Sequence, residues 1–144
     1  MRFLANTADK LALGDVNVNI KSKTKDEIGK LMYSFGMMVE NIKEQAAIAD
    51  KVANGDFSVA VVPKSDQDIL TISLKNMVEN LRSLVSEAGM LTKAAVEGKL
   101  DTRGNAESFN GGYKEIVVGV NQTLDAVIGP LNVAAEYIER ISRG

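Results

Sequence analysis

"LALGDVNVNI", residues 11–20, ends like a helix and continues like an extended segment. An apolar stretch halts at Gly14, and Val16, Val18 and Ile20 then alternate with polar residues, the period of a strand with one buried face. "VANGDFSVAV", residues 52–61, does the same around Gly55. Glycine enters the left-handed conformation that closes a helix without a Cβ penalty, so each stretch reads as a helix stop followed by a redirected chain.

The stops recur. Gly14, Gly55, Gly98 and Gly144 are separated by 41, 43 and 46 residues. Three positions before each lie Leu11, Val52, Ala95 and Ile141; seven before lie Thr7, Ile48, Leu91 and Tyr137. One largely apolar stripe at helical spacing thus keeps register with every stop. Downstream, "KDEIGKLMYSFGMMVENI" (25–42) aligns without gaps on "KSDQDILTISLKNMVENL" (64–81). Glu27 meets Asp66, Leu31 meets Leu70, and the "MVEN" runs containing Met38 and Met77 are identical. A weaker third copy is "GYKEIVVGVNQTLDAV" (112–127), with Ile116, Val120 and Val127 in step. The repeating unit is therefore helix, glycine stop, connector, acidic helix start, helix.

The long helices carry coiled-coil seams. From Ile28 the apolar positions run Leu31, Phe35, Met38, Ile42, then Gln45, Ala49 and Val52, alternating steps of three and four. Leu70, Leu74, Met77, Leu81, Leu84, Ala88, Leu91 and Ala95 continue the pattern, and Ile116, Val120, Thr123, Val127, Pro130, Ala134, Tyr137 and Ile141 repeat it. Unbroken helices of about 28–32 residues are expected, about 42–48 Å long. The second helix of one unit and the first helix of the next form one rod.

About a dozen residues separate each glycine from the next helix, more than an antiparallel helix pair requires. Twelve extended residues reach about 40 Å, enough to run back along a first helix about 21 Å long. The connector can then start the next helix parallel to the last, with Val16, Val18 and Ile20, or Phe57, Val59 and Val61, sealing the groove it crosses. Two parallel helices cannot bury both stripes alone, and a homodimer completes a parallel four-helix bundle. The expected fold is all-α, with homodimeric four-helix coiled-coil bundles stacked in tandem and joined by continuous helices. Units are expected over residues 1–45, 46–87 and 88–129, with 130–144 the first helix of a following unit.

Composition narrows the function. The 144 residues are 45% hydrophobic but only 5% aromatic, which suits long helices packed through aliphatic side chains better than a large globular core. A net charge of −2, with Lys and Arg scattered, gives no footprint for nucleic acid. The absence of Cys and His removes thiolate and imidazole chemistry and the usual zinc ligands. Cysteine-free composition mildly favours a reducing compartment. No catalytic, cofactor-binding, metal or small-molecule site is expected, and no uninterrupted apolar run approaches the roughly 20 residues that span a bilayer. "GNAESFNGG" (104–112) lacks the strand and the Lys-Ser/Thr of a phosphate loop, and "NQT" (121–123) is a glycosylation sequon in mid-helix. Gln45 reads first as a register-specifying polar residue in the seam.

"LALGDVNVNIKSKTKDEIGKLMYSFGMMVENI" (11–42) resembles the HAMP linker domain of bacterial and archaeal chemoreceptors, sensor kinases and cyclases. "VANGDFSVAVVPKSDQDILTISLKNMVENL" (52–81) is similar, with "SDQD" replacing "DEIG", and residues 96–144 resemble the divergent units of poly-HAMP proteins. The resemblance implies a homodimeric module relaying motion of an upstream sensor or transmembrane helix to a downstream output domain. It implies a cytoplasmic place, as part of a membrane-anchored receptor. By position, Gly14, Gly55 and Gly98 match the family's turn glycine. Val16, Phe57 and Leu100 match its first apolar connector residue, and Ile20 and Val61 its second. Glu27 matches the acidic residue opening the second helix, with Asp66 the looser counterpart. The third unit departs: Gly104 stands where an apolar residue is expected, and Gly111-Gly112 replace the acidic opening. Pro130, 14 residues before Gly144, matches the proline that opens a first helix. The same count from Gly14 falls just before Met1, so the chain is expected to be cut from a longer protein.

Spacing supplies a mechanism. Ile42 to Gly55 is 13 residues, whereas Leu81 to Gly98 and Val127 to Gly144 are 17. Four extra residues are a stutter, which locally unwinds a coiled coil. Neighbouring units are therefore expected to alternate between packing modes, as a two-state relay requires. The rival expectation is a structural coiled-coil scaffold, which would not need a returning connector at fixed register.

Overall fold

The computed structural model describes residues 2–21 and 24–144 of the chain, so the expectation attached to Met1 lies outside it. The regular elements among the described residues are all helical: α1 (Arg2–Ala12), α2 (Glu27–Ala53), α3 (Ile69–Val96) and α4 (Gly111–Ser142), with a 3-10 turn at Ala106–Ser108 before α4. No strand occurs among the described residues. The apolar alternation of the connectors therefore marks chain laid on helices rather than sheet. The three long helices have 27, 28 and 32 residues, close to the expected span. Pro130 lies inside α4 without ending it, so this helix runs straight across the expected boundary at 129/130.

The chain divides into two compact units, residues 1–76 and 77–144, and α3 contributes its first turns to one and the remainder to the other. In the first unit the second connector runs back along α2. Lys64 reaches Glu44 at 3.0 Å, and the Gln45 side-chain amide donates to the Thr71 hydroxyl at 3.0 Å. Gly55 follows the end of α2, and the connector brings Thr71, in the first turn of α3, back beside Gln45 of α2.

The second unit shows the same return. The Asn105 amide reaches Glu87 on α3, and Phe109 shares a surface hollow with Arg82, Ser83 and Ser86, further toward the start of that helix. α4 then begins and lays Ile116, Val117, Val120 and Leu124 across a groove from Leu84 and Leu91 of α3. The two helices are parallel, as the connector length predicts.

Burial follows the repeat. Val39 and Val78, occupying the same place in the two "MVEN" runs, are the most deeply buried large side chains, and Val117 lies a further 39 residues on. The covered line along α2 is buried Gly29 and Val39 with half-buried Met32 and Gly36; along α4 it is buried Val117 and Ile128 with half-buried Asn121 and Leu124. Each line sits one residue beyond positions of the expected seam. Ile28, Leu31 and Met38 on α2, and Ile116, Val120 and Val127 on α4, remain exposed. The helices thus carry two adjacent lines, one covered within the chain and the other an open apolar seam.

Candidate functional site

The candidate site is the helix stop with its returning connector. At Gly14 the Asp15 N–H donates to the Lys10 carbonyl at 3.0 Å and the Gly14 N–H to Leu11 at 3.0 Å. At Gly55, Asp56 N–H reaches Lys51 at 2.9 Å and Gly55 N–H reaches Val52 at 3.0 Å. At Gly98, Lys99 N–H reaches Ala94 at 2.8 Å and Gly98 N–H reaches Ala95 at 3.1 Å. These are three copies of one Schellman closure, with the glycine φ at 95°, 83° and 78°. A left-handed backbone is required at each, so the glycines are geometric necessities.

The residue after the stop separates the units. Asp15 accepts from the Asn17 N–H at 3.0 Å, and Asp56 from the Ser58 N–H at 3.0 Å and its hydroxyl at 2.5 Å. These Asx turns bend the chain away from the helix axis. The Ser58 hydroxyl, then its amide, hold the Asp56 carboxyl below the ordinary carboxylate range, with Lys51 adding a smaller attraction. Lys99 takes this place in the third unit and cannot form such a turn.

Helix starts are capped by aspartates that the sequence reading passed over. The Asp26 carboxylate accepts from the Gly29 N–H at 3.0 Å and from the Thr24 hydroxyl at 2.6 Å. Asp68 accepts from the Lys64 N–H at 2.9 Å and the Thr71 N–H at 3.3 Å. Both carboxyls are held below the ordinary range, Asp26 chiefly by the Thr24 hydroxyl and Asp68 chiefly by the Lys64 amide. Glu27 is the first residue of α2, where its charge favours the helix dipole, and Asp66 stands on the exposed approach to α3. The signal available beforehand was an Asp three residues before a helical position, D-x-x-G and D-x-x-T.

The third connector is held by polar groups. Asn121 accepts from the Gly104 N–H at 2.7 Å and donates to the Gly104 carbonyl at 2.9 Å. Arg103 Nε lies 2.8 Å from Asp125 Oδ1, and its Nη1 donates to the carbonyls of Leu100 and Thr102 at 2.7 and 2.9 Å. Asn105 N–H donates to Glu87 at 2.8 Å. A Cβ on residue 104 would lie 2.7 Å from Val117 Cγ1. The missing apolar side chain is thus explained: glycine lets the connector approach α4 until Asn121 bonds its backbone. Buried Phe109 and half-buried Ala106 supply apolar contact further along.

Of the expected connector residues, Val16, Ile20, Phe57 and Val61 are half-buried, while Leu100 is exposed at 39%. Val18 is the buried member of the first connector. Met77 is half-buried and Met38 exposed at 44%, on the edge of the open seam. Between α3 and α4 that seam borders an apolar groove of about 520 Å³.

Two family profiles, each described as HAMP domain, match residues 4–44 and 108–144. The chain carries HAMP domains in tandem. A protein of Acetivibrio thermocellus named "Putative sensory transducer protein" is 45% identical over 83 residues, 58% of this chain. The match covers 15% of that relative's length. No solved structure gives a significant match. The first match holds the Gly14 stop and α2 as far as residue 44, and the second holds all of α4 and Gly144. The Asn121–Gly104 contact joins the second match to the connector before it.

By length and composition α4 is also apolar enough to cross a membrane, although its polar residues break any continuous apolar run. In the structure Asn121 and Asp125 of α4 are occupied with the third connector.

Proposed function

We propose that this chain is a non-catalytic signal relay, in which tandem HAMP units pass conformational change from an upstream sensor to a downstream output domain by switching helix packing between successive units. The observation that carries the reading is the pair of adjacent seams on α2 and α4. One seam is closed within the chain by the returning connector; the other leaves Leu31, Met38, Ile116 and Val120 open. In a four-helix bundle every helix faces two neighbours, and a single chain supplies one. A second copy in parallel supplies the other.

The working units are residues 1–45, 46–87 and 88–129, with 130–144 leading into a further unit. Gly14, Gly55 and Gly98 set the stops, while Val16, Ile20, Phe57 and Val61 tie the connectors down. The four extra residues between Leu81 and Gly98 keep neighbouring units from sharing one packing phase. The relative named as a sensory transducer supports a place in sensory signalling, and in this reading the chain is the cytoplasmic part of a membrane-anchored receptor.

The test is to splice residues 1–144 between a receptor and its output domain. Removing residues 46–87 is expected to change the sign or gain of the response, and so is removing four residues between Leu81 and Ala95. A dose–response curve indifferent to both would leave the scaffold reading in place.

A further inference from the structure

We propose that Asn121 and Asp125 of α4, together with Arg103 and Gly104 of the third connector, form a polar latch that fixes the rotational setting of α4, and that this latch determines which state the third unit holds. The proposal rests on the relay reading and names the element that governs it.

Three observations support it. Asn121 and Asp125 lie one helical turn apart on the same face, and they engage adjacent connector residues. Asn121 makes two bonds to one peptide residue, donor to acceptor and acceptor to donor, at 2.7 and 2.9 Å. Next to it the Asn105 N–H bonds Glu87 of α3, so the connector is fastened to both helices through neighbouring residues.

Directionality separates this contact from an apolar plug. Six residues after the stop, the first two units have Ile20 and Val61, whose contact is non-directional and tolerates small rotations. A side-chain atom about 5 Å from a helix axis moves about 1.7 Å for a 20° rotation. Hydrogen bonds of 2.7–2.9 Å do not survive that displacement. The clearance between Gly104 and Val117 leaves no space for the connector to follow by moving inward. Rotation of α4 must therefore release both Asn121 bonds at once, and it carries Asp125, one turn further on, away from its place opposite Arg103.

Asn121→Leu keeps the bulk and removes both bonds; Asp125→Asn removes the ion pair. In the full 144-residue chain, Asn121→Leu is expected to speed exchange of the Gly104 amide by about tenfold or more, while amides around Leu84 and Val78 keep their protection. Unchanged Gly104 exchange would overturn the latch. So would equal loosening along α3 and α4, which would make Asn121 a general stability residue. In the receptor splice, both variants are expected to shift the half-maximal stimulus in the same direction, by about fivefold or more. If removal of residues 88–129 alters output and neither variant does, the latch falls while the relay stands; if that removal changes nothing, the relay reading itself fails.

Discussion

At the scale of single residues, backbone conformation decides more than side-chain identity. Gly55 has φ 83° with open space around it, so an added methyl meets no neighbour and the cost of Gly55→Ala is purely conformational, about 1 kcal/mol. Gly89 sits inside α3 with nothing near its missing Cβ, and Gly89→Ala should stabilise by about 0.5–1 kcal/mol. Chemical denaturation of the two variants should move in opposite directions; a shared sign would contradict the left-handed stop. The capping aspartates give a pH dependence. Asp26 and Asp68 are depressed below 3.8 in the folded chain, so the folded state prefers them ionised. Their contribution is complete above that ordinary carboxylate value and is lost as pH falls through their lower folded values. Asp26→Asn and Asp68→Asn should flatten the acid limb of stability against pH, measured by circular dichroism. The glycines were legible from sequence because only one residue type suits that φ. Asp26 and Asp68 were missed because "KDE" and "SDQD" each offer neighbouring acids, and only the helix's true first turn selects the cap.

At the scale of elements, the seams decide stability. Val39 and Val78 are each 1% exposed, so Val39→Ala and Val78→Ala should each destabilise by about 2 kcal/mol. Met37, exposed at 54% on α2, should cost less than about 0.5 kcal/mol when replaced by Ala. Pro130 gives the opposite sign. Inside α4 it lacks an N–H and crowds the preceding turn, so Pro130→Ala should raise the unfolding midpoint, with a gain of up to about 3 kcal/mol. The three-four periodicity made helix existence and length readable before any coordinates. The two-residue alternation of the connectors correctly signalled one buried face. Period alone could not separate a strand from chain laid on a helix, because the pattern reports which side is covered and not what covers it.

At the scale of the whole molecule, the open seams predict association. Sedimentation should find a dimer, with a thermal midpoint that rises with protein concentration. Leu31→Glu and Ile116→Glu, each placing a charge on an open seam, should shift the equilibrium toward monomer while leaving Val39 and Val117 on their closed lines. A concentration-independent midpoint would show that one chain suffices. The sequence by itself determined the helical class, the positions of the glycine stops and the length of each long helix, because a left-handed stop and a three-four stripe are local properties written in consecutive residues. It also determined the parallel return, because connector length limits how far the chain can travel. Only the tertiary structure decided which line of residues is covered within the chain and which acid caps each helix. It alone showed that Gly104 trades an apolar plug for the Asn121 clamp. Those outcomes depend on how closely two distant segments approach, and a clearance of a few tenths of an ångström carries no signature in the order of residues.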